Sequence, residues 1–136
     1  MLRNIAKLNI TRAIISSAQR NVSTSSRLFD IFKVQDEKDF EERVLKSKNV
    51  VVVDFMATWC NPCKMLGPRI EKVVEENKGK VSLAKVDIDE LTDLSLEYGV
   101  QAVPVLAIIK DGKVQKQLIG LQDVDVIRKF VKSSIE

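Results

Sequence analysis

Val50-Val51-Val52-Val53-Asp54-Phe55-Met56-Ala57-Thr58-Trp59-Cys60-Asn61-Pro62-Cys63-Lys64 is the stretch on which the reading of the whole chain turns. Its β-branched opening reads as a strand buried on both faces. The strand stops at Thr58-Trp59, and the amphipathic segment from about Asn61 to Asn77 reads as a helix. Cys60 therefore stands where a strand hands over to a helix N-terminus, with Cys63 on the same side of the first turn. Unpaired backbone N–H groups and the positive end of the helix dipole favour a thiolate there. Such a pair reads as a dithiol that exchanges electrons with disulfides in other proteins.

Outward from this stretch, the flanks alternate strand and helix. On the N-terminal side Ile31 to Val34 is a short strand. Asp36 can cap a helix running to about Ser47, with Phe40, Val44 and Leu45 on its inner face. On the C-terminal side Pro68 removes a backbone N–H and is expected to kink the site helix rather than end it. Val81 to Asp87 reads as a third strand closed by the turn Asp87-Ile88-Asp89, and Leu91 to Tyr98 as a short helix with Gly99 at C′. Val105 to Lys110 and Lys113 to Ile119 read as a hairpin joined by Asp111-Gly112. Gly120 ends that strand, and Gln122 or Asp123 opens a last helix to about Ser134. The order β-α-β-α-β-α-β-β-α predicts an α/β fold. Its five-stranded sheet is mixed, ends in an antiparallel hairpin and is flanked by four helices on its two faces.

The ends and the composition narrow the function. Residues 1–29 hold Arg3, Lys7, Arg12, Arg20 and Arg27, many Ser and Thr, and no acid. That is the composition of a mitochondrial or plastid transit peptide, the plainer alternative being a disordered basic arm. Ala13-Ile14-Ile15 is too short for a secretory core. Arg27-Leu28-Phe29 before Asp30 resembles a matrix-protease site, which sets the domain boundary near 29/30. The net charge of +3 belongs to this leader: without its five basic residues, 17 basic face 19 acidic side chains. A nucleic-acid surface on the folded part is not expected. No apolar run approaches membrane-spanning length. With two cysteines and no histidine, a single chain lacks the four ligands of a structural zinc site. A metal shared between two copies is the remaining alternative.

Residues 31–136 resemble the thioredoxin family over nearly their whole length. The resemblance rests on Val53-Asp54-Phe55, Trp59-Cys60-Asn61-Pro62-Cys63-Lys64, Pro68, Lys85, Val103-Pro104, Asp111-Gly112 and Gly120, in that order. A lone Cys-x-x-Cys is a weak signal; the set is specific. The resemblance implies a thioredoxin fold, a monomer, no bound cofactor, and reduction of protein disulfides, such as those of peroxiredoxins. It also implies re-reduction by thioredoxin reductase drawing on NADPH. With the leader, the chain resembles the mitochondrial members and is expected in the matrix.

The resemblance also assigns roles. Cys60 is the attacking thiolate, and Cys63, further into the helix and expected to be the less exposed, resolves the mixed disulfide. The alternative is an inert disulfide, which in so short a loop removes little chain entropy. An acid inside an apolar strand costs free energy unless it is paired or has a task, so Asp54 stands out from composition alone. The resemblance makes it the buried acid that helps deprotonate Cys63, with a pKa raised by desolvation; the alternative is an acid satisfied by local hydrogen bonds or by Lys85. Lys85 either tunes that acid or is an ordinary exposed charge. The resemblance implies a cis bond before Pro104, leaving the Val103 backbone free to pair with an extended substrate. Trp59, Pro62, Val103, Gly120 and Leu121 would form an apolar rim, while Leu66, Ile70, Val73 and Val74 read as core.

Three positions depart from the family pattern. Asn61 stands where Gly is usual and would tune the redox pair or its partner range. Met56 replaces a common tryptophan, and Val105 a common threonine. Other readings are a non-catalytic binding module on the same fold, an isomerase of the protein-disulfide-isomerase type, and a glutaredoxin. The first has no use for both cysteines, Asp54 and Pro104. The second usually places a histidine between the cysteines, and the third does not account for Trp59 and Asp54.

Overall fold

Four valines and a phenylalanine dominate the seven residues of strand β2 (Val50–Met56), of which all but Met56 are buried. The computed structural model describes residues 30–136, and the leader reading of residues 1–29 falls outside them. Around β2 the chain lays down β1 (Ile31–Lys33), β3 (Val81–Asp87), β4 (Val105–Lys110) and β5 (Lys113–Ile119) in the order β1-β3-β2-β4-β5. The β1/β3 and β3/β2 pairs are parallel, and β2/β4 and β4/β5 are antiparallel. The helices are α1 (Glu37–Phe40, continuing as a π turn over Glu41–Leu45), α2 (Asn61–Glu76), α3 (Thr92–Glu97) and α4 (Val124–Ile135). This is the mixed sheet with four helices that the sequence predicts.

Alternation along β2 divides the interior into two layers. Val51, Val53 and Phe55 pack with Phe40 and Val44 of α1 and Leu94 of α3. Val50 and Val52 face the other way, onto Leu66, Ile70, Val73 and Val74 of α2 and Ile127 and Val131 of α4. Burying each such side chain contributes about 1.5–3 kcal/mol, so both layers hold the helices to the sheet. Asp54 is next in the second row, one position before Met56 ends it, where the sheet runs out toward the site.

Local signals fix the elements closely. Asp36 caps α1 by accepting the Asp39 N–H at 2.7 Å. The helix ends at Leu45 rather than Ser47, because the Lys46 N–H reaches back five residues to the Glu41 carbonyl and widens the last turn. Val34 lies just outside β1, though its N–H still bonds the Lys85 carbonyl at 2.9 Å. α2 runs through Pro68 without a break. Asp111 and Gly112 take φ values of 54° and 77°, the paired left-handed geometry of a tight hairpin turn. Asp123 precedes α4 without a side-chain capping bond.

Candidate active site

Cys60 occupies the N-cap position of α2, in extended backbone (φ −91°, ψ 110°). Its Sγ accepts the Cys63 N–H at 3.1 Å, the bond that a serine or aspartate cap makes to the third helical residue. Pro62 lies between them, where a missing N–H costs nothing because first-turn donors have no intrahelical partner. The helix therefore aims an N–H and its positive end at the sulfur, which favours the thiolate. Cys60 and Cys63 are joined as a disulfide. The expectation that Cys63 is the less exposed is not met: Cys60 is 4% exposed and Cys63 6%. The Val103 carbonyl lies 3.9 Å from Cys60 Sγ and helps cover it. What separates the two sulfurs is their surroundings.

On the outer side, Cys60 lies against Val103. The Val103–Pro104 bond is cis. Among the described residues the Val103 N–H and C=O make no backbone hydrogen bond, while the Pro104 carbonyl accepts from the Gly120 N–H at 2.9 Å. That bond ties Gly120, with φ 88°, to the same edge. Trp59 is 65% exposed beside Cys60, Pro62 is exposed on the first turn, and Ile119 and Leu121 extend the apolar surface past Gly120. Asn61 is exposed between the cysteines.

On the inner side, Cys63 lines a cavity of about 390 Å³ with Asp54, Lys85 and Glu71. Gly67 stands one turn beyond Cys63, and nothing lies within 4 Å of where its Cβ would be, so the helix leaves this space open. Asp54 is 3% exposed and its Oδ1 is buried without a hydrogen-bond partner. Burial pushes the Asp54 carboxyl up to about 7; the Lys85 ammonium pulls it down, and the Glu71 carboxylate pushes it up. Lys85 is level with Asp54 in the β2/β3 register, yet its Nζ is paired with Glu71 Oε2. The alternative of an acid satisfied by Lys85 is thus not what the structure holds.

Two residues of the site were not singled out from the sequence. Glu71 lies eight positions after Cys63, which on a helix returns to the same face; that spacing is the signal that would have found it. Asp89 accepts the Trp59 Nε1–H at 2.8 Å and so orients the indole. It is held there by a turn in which buried Asp87 accepts the Asp89 and Glu90 N–H groups at 2.8 and 3.4 Å. A turn was legible at Asp87 to Asp89, but its reach across 30 residues to Trp59 was not.

A disulfide on a helix N-cap, at the carboxyl end of a central strand and beside an open peptide edge, defines a thiol–disulfide oxidoreductase. The thioredoxin family model matches residues 31–133. The chain is 48% identical over 122 residues to mitochondrial thioredoxin of Mus musculus, covering 90% of this chain and 74% of that one. It shows 39% identity over 99 residues to a thioredoxin of Chlorobaculum thiosulfatiphilum, covering 73% and 92%. A solved N21Q mutant thioredoxin from Halobacterium salinarum superposes with a TM-score of 0.72 at 35% identity, over 79% of this chain and 94% of that one. The chain belongs to the thioredoxin family.

Proposed function

We propose that Cys60 and Cys63 reduce protein disulfides in two steps, with the N–H of Cys63 on Cys60 Sγ as the observation that carries the assignment. In the reduced pair the Cys60 thiolate attacks one sulfur of a substrate disulfide, forming a mixed disulfide and releasing the other sulfur as a thiolate that takes up a proton. Cys63 gives its proton to Asp54, directly or through water in the cavity. Its thiolate then attacks Cys60 Sγ, closes the Cys60–Cys63 bond and expels the second substrate thiol. Two electrons pass to the substrate. A carboxyl titrating near neutrality suits a group that must accept and return that proton.

Trp59, Pro62, Val103, Pro104 and Gly120 hold the substrate segment, with the free Val103 backbone groups pairing with it as an added strand. Lys85 tunes Asp54, and Asn61 tunes the pair. Thioredoxin reductase with NADPH returns the two electrons, and peroxiredoxins are among the substrates. Residues 1–29 act as a transit peptide that is cleaved near Phe29 and delivers a monomeric domain, residues 30–136, to the mitochondrial matrix; the acid-free composition of the leader and the mitochondrial relative support this.

The test is insulin reduction by residues 30–136 with thioredoxin reductase and NADPH, beside a Cys60→Ser control. Turnover that the control lacks is the expected result. A folded chain without turnover would overturn the general-reductase assignment.

A further inference from the structure

The acid beneath the cysteines is level with a lysine on the neighbouring strand, but that lysine's ammonium is bonded elsewhere. Lys85 Nζ is paired with Glu71 Oε2. Among the described residues Asp54 forms no ion pair, and its Oδ1 has no hydrogen-bond partner. All three groups border the cavity that Cys63 also lines. Both partners of the pair are half-buried, so Glu71 holds a charge at the mouth of that cavity rather than on open surface.

We propose that Glu71 is a positioning residue: it draws the Lys85 ammonium away from Asp54, which leaves the carboxyl free to take the proton of Cys63. The catalytic meaning of this arrangement rests on the role given to Asp54 above. The groups that face Asp54 are few. β3 contributes Lys85, and α2 contributes Cys63, Glu71 and Lys64. β4 presents Leu106 opposite it, which carries no charge. Lys64 is exposed, which leaves Lys85 as the cation whose position decides how easily Asp54 ionises. A lysine released onto a carboxylate in a poorly hydrated space lowers that carboxyl's pKa by about one unit or more. The acid would then be ionised early and would be a weaker base toward a thiol.

Glu71→Gln is the variant to make, because it keeps the size of a half-buried side chain and removes its charge. The Asp54 carboxyl would be followed by carbon NMR as pH is raised through neutrality, in the oxidised protein and in a Lys85→Met background. The expected result is a midpoint lowered by about one unit in Glu71→Gln and by clearly less when the same change is made in Lys85→Met, where only the direct repulsion of the Glu71 carboxylate is lost. An unmoved midpoint overturns the proposal. So does an equal shift in both backgrounds, since Glu71 would then act through its own charge and not through Lys85. The pH profile of the Cys63 resolving step, measured in the same variants, is expected to move with the midpoint. A midpoint that moves while the profile stays fixed supports the positioning by Glu71 and overturns the use of Asp54 as the base.

Discussion

The two faces of strand β2 differ by a single kind of residue. Toward α1 and α3, Val51, Val53 and Phe55 are apolar to the end of the strand, and Phe55 closes the row against Tyr98 with ring centroids 6.1 Å apart. Toward α2 and α4 the row is Val50, Val52, Asp54 and Met56, and the Asp54 carboxyl borders open space below Cys63. The first face is sealed, with side chains in contact as in any close-packed interior. The second is sealed at Val50 and Val52 and then gives up packing for a titratable group. One strand thus packs helices on both sides and, on one of them, also presents a carboxyl to the cavity, because alternate residues never share a face.

The largest effect that would test this division is at the sulfurs themselves. Cys60→Ser is expected to lower insulin reduction by about a thousandfold or more, while leaving the thermal unfolding of the reduced protein nearly unchanged. Cys63→Ser is expected to stop at a mixed disulfide with substrate, visible as a higher band on a non-reducing gel. A Cys60→Ser protein that still turned over would break the assignment of chemistry to this end of the strand.

Next come the two neighbours on β2, whose substitutions are expected to move stability in opposite directions. Phe55→Ala empties a fully buried site in the sealed layer and should cost about 3–5 kcal/mol in denaturant unfolding. Asp54 works the other way. Its folded pKa of about 7 lies above its unfolded value of 3.8, so between those pH values the native state holds a proton that the unfolded chain has released. Stability is then fullest below about pH 4 and falls as pH rises to about 7, by roughly 4 kcal/mol for this group. Asp54→Asn removes that slope and, with a buried amide still to satisfy, should gain about 2 kcal/mol at pH 8. It should also slow the resolving step. A variant that lost stability at pH 8 would mean that the acid is held by partners and the second face is as sealed as the first.

The contrast between the faces also explains what the sequence made legible. Val50 to Asp54 and the Cys60–Cys63 spacing are local patterns, and local patterns carried the strand, the helix start and the hairpin at Asp111-Gly112. Asp54 was legible because a charge in an apolar run has few innocent explanations. Glu71 shares a face with Cys63 by its spacing, but one acid among several on an amphipathic helix reads as solvated surface until the sheet brings Lys85 beneath it. The burial of Cys60 was missed for a similar reason: Val103 lies 43 residues away along the chain, and only the fold places its carbonyl over the sulfur. Pairings set by strand order across long separations leave no periodic mark.

The smallest effect concerns Asp89, a second long-range partner, here on the outer rim. Its carboxylate accepts the Trp59 Nε1–H, but the indole is 65% exposed, so water can replace the bond when it is lost. A solvent-exposed hydrogen bond of this kind contributes about 0.5–1 kcal/mol. Asp89→Ala should therefore raise KM for a protein substrate about two- to fivefold through a less ordered indole, with kcat and the unfolding midpoint little changed. Trp59 is the single tryptophan of the chain, so its fluorescence reports the loss directly. In a Trp59→Phe background, which has no N–H to donate, the same Asp89→Ala change should leave KM where it is. An equal rise in both backgrounds would mean that Asp89 meets the substrate itself, and the rim would then include the β3–α3 turn as well as the apolar residues around Cys60.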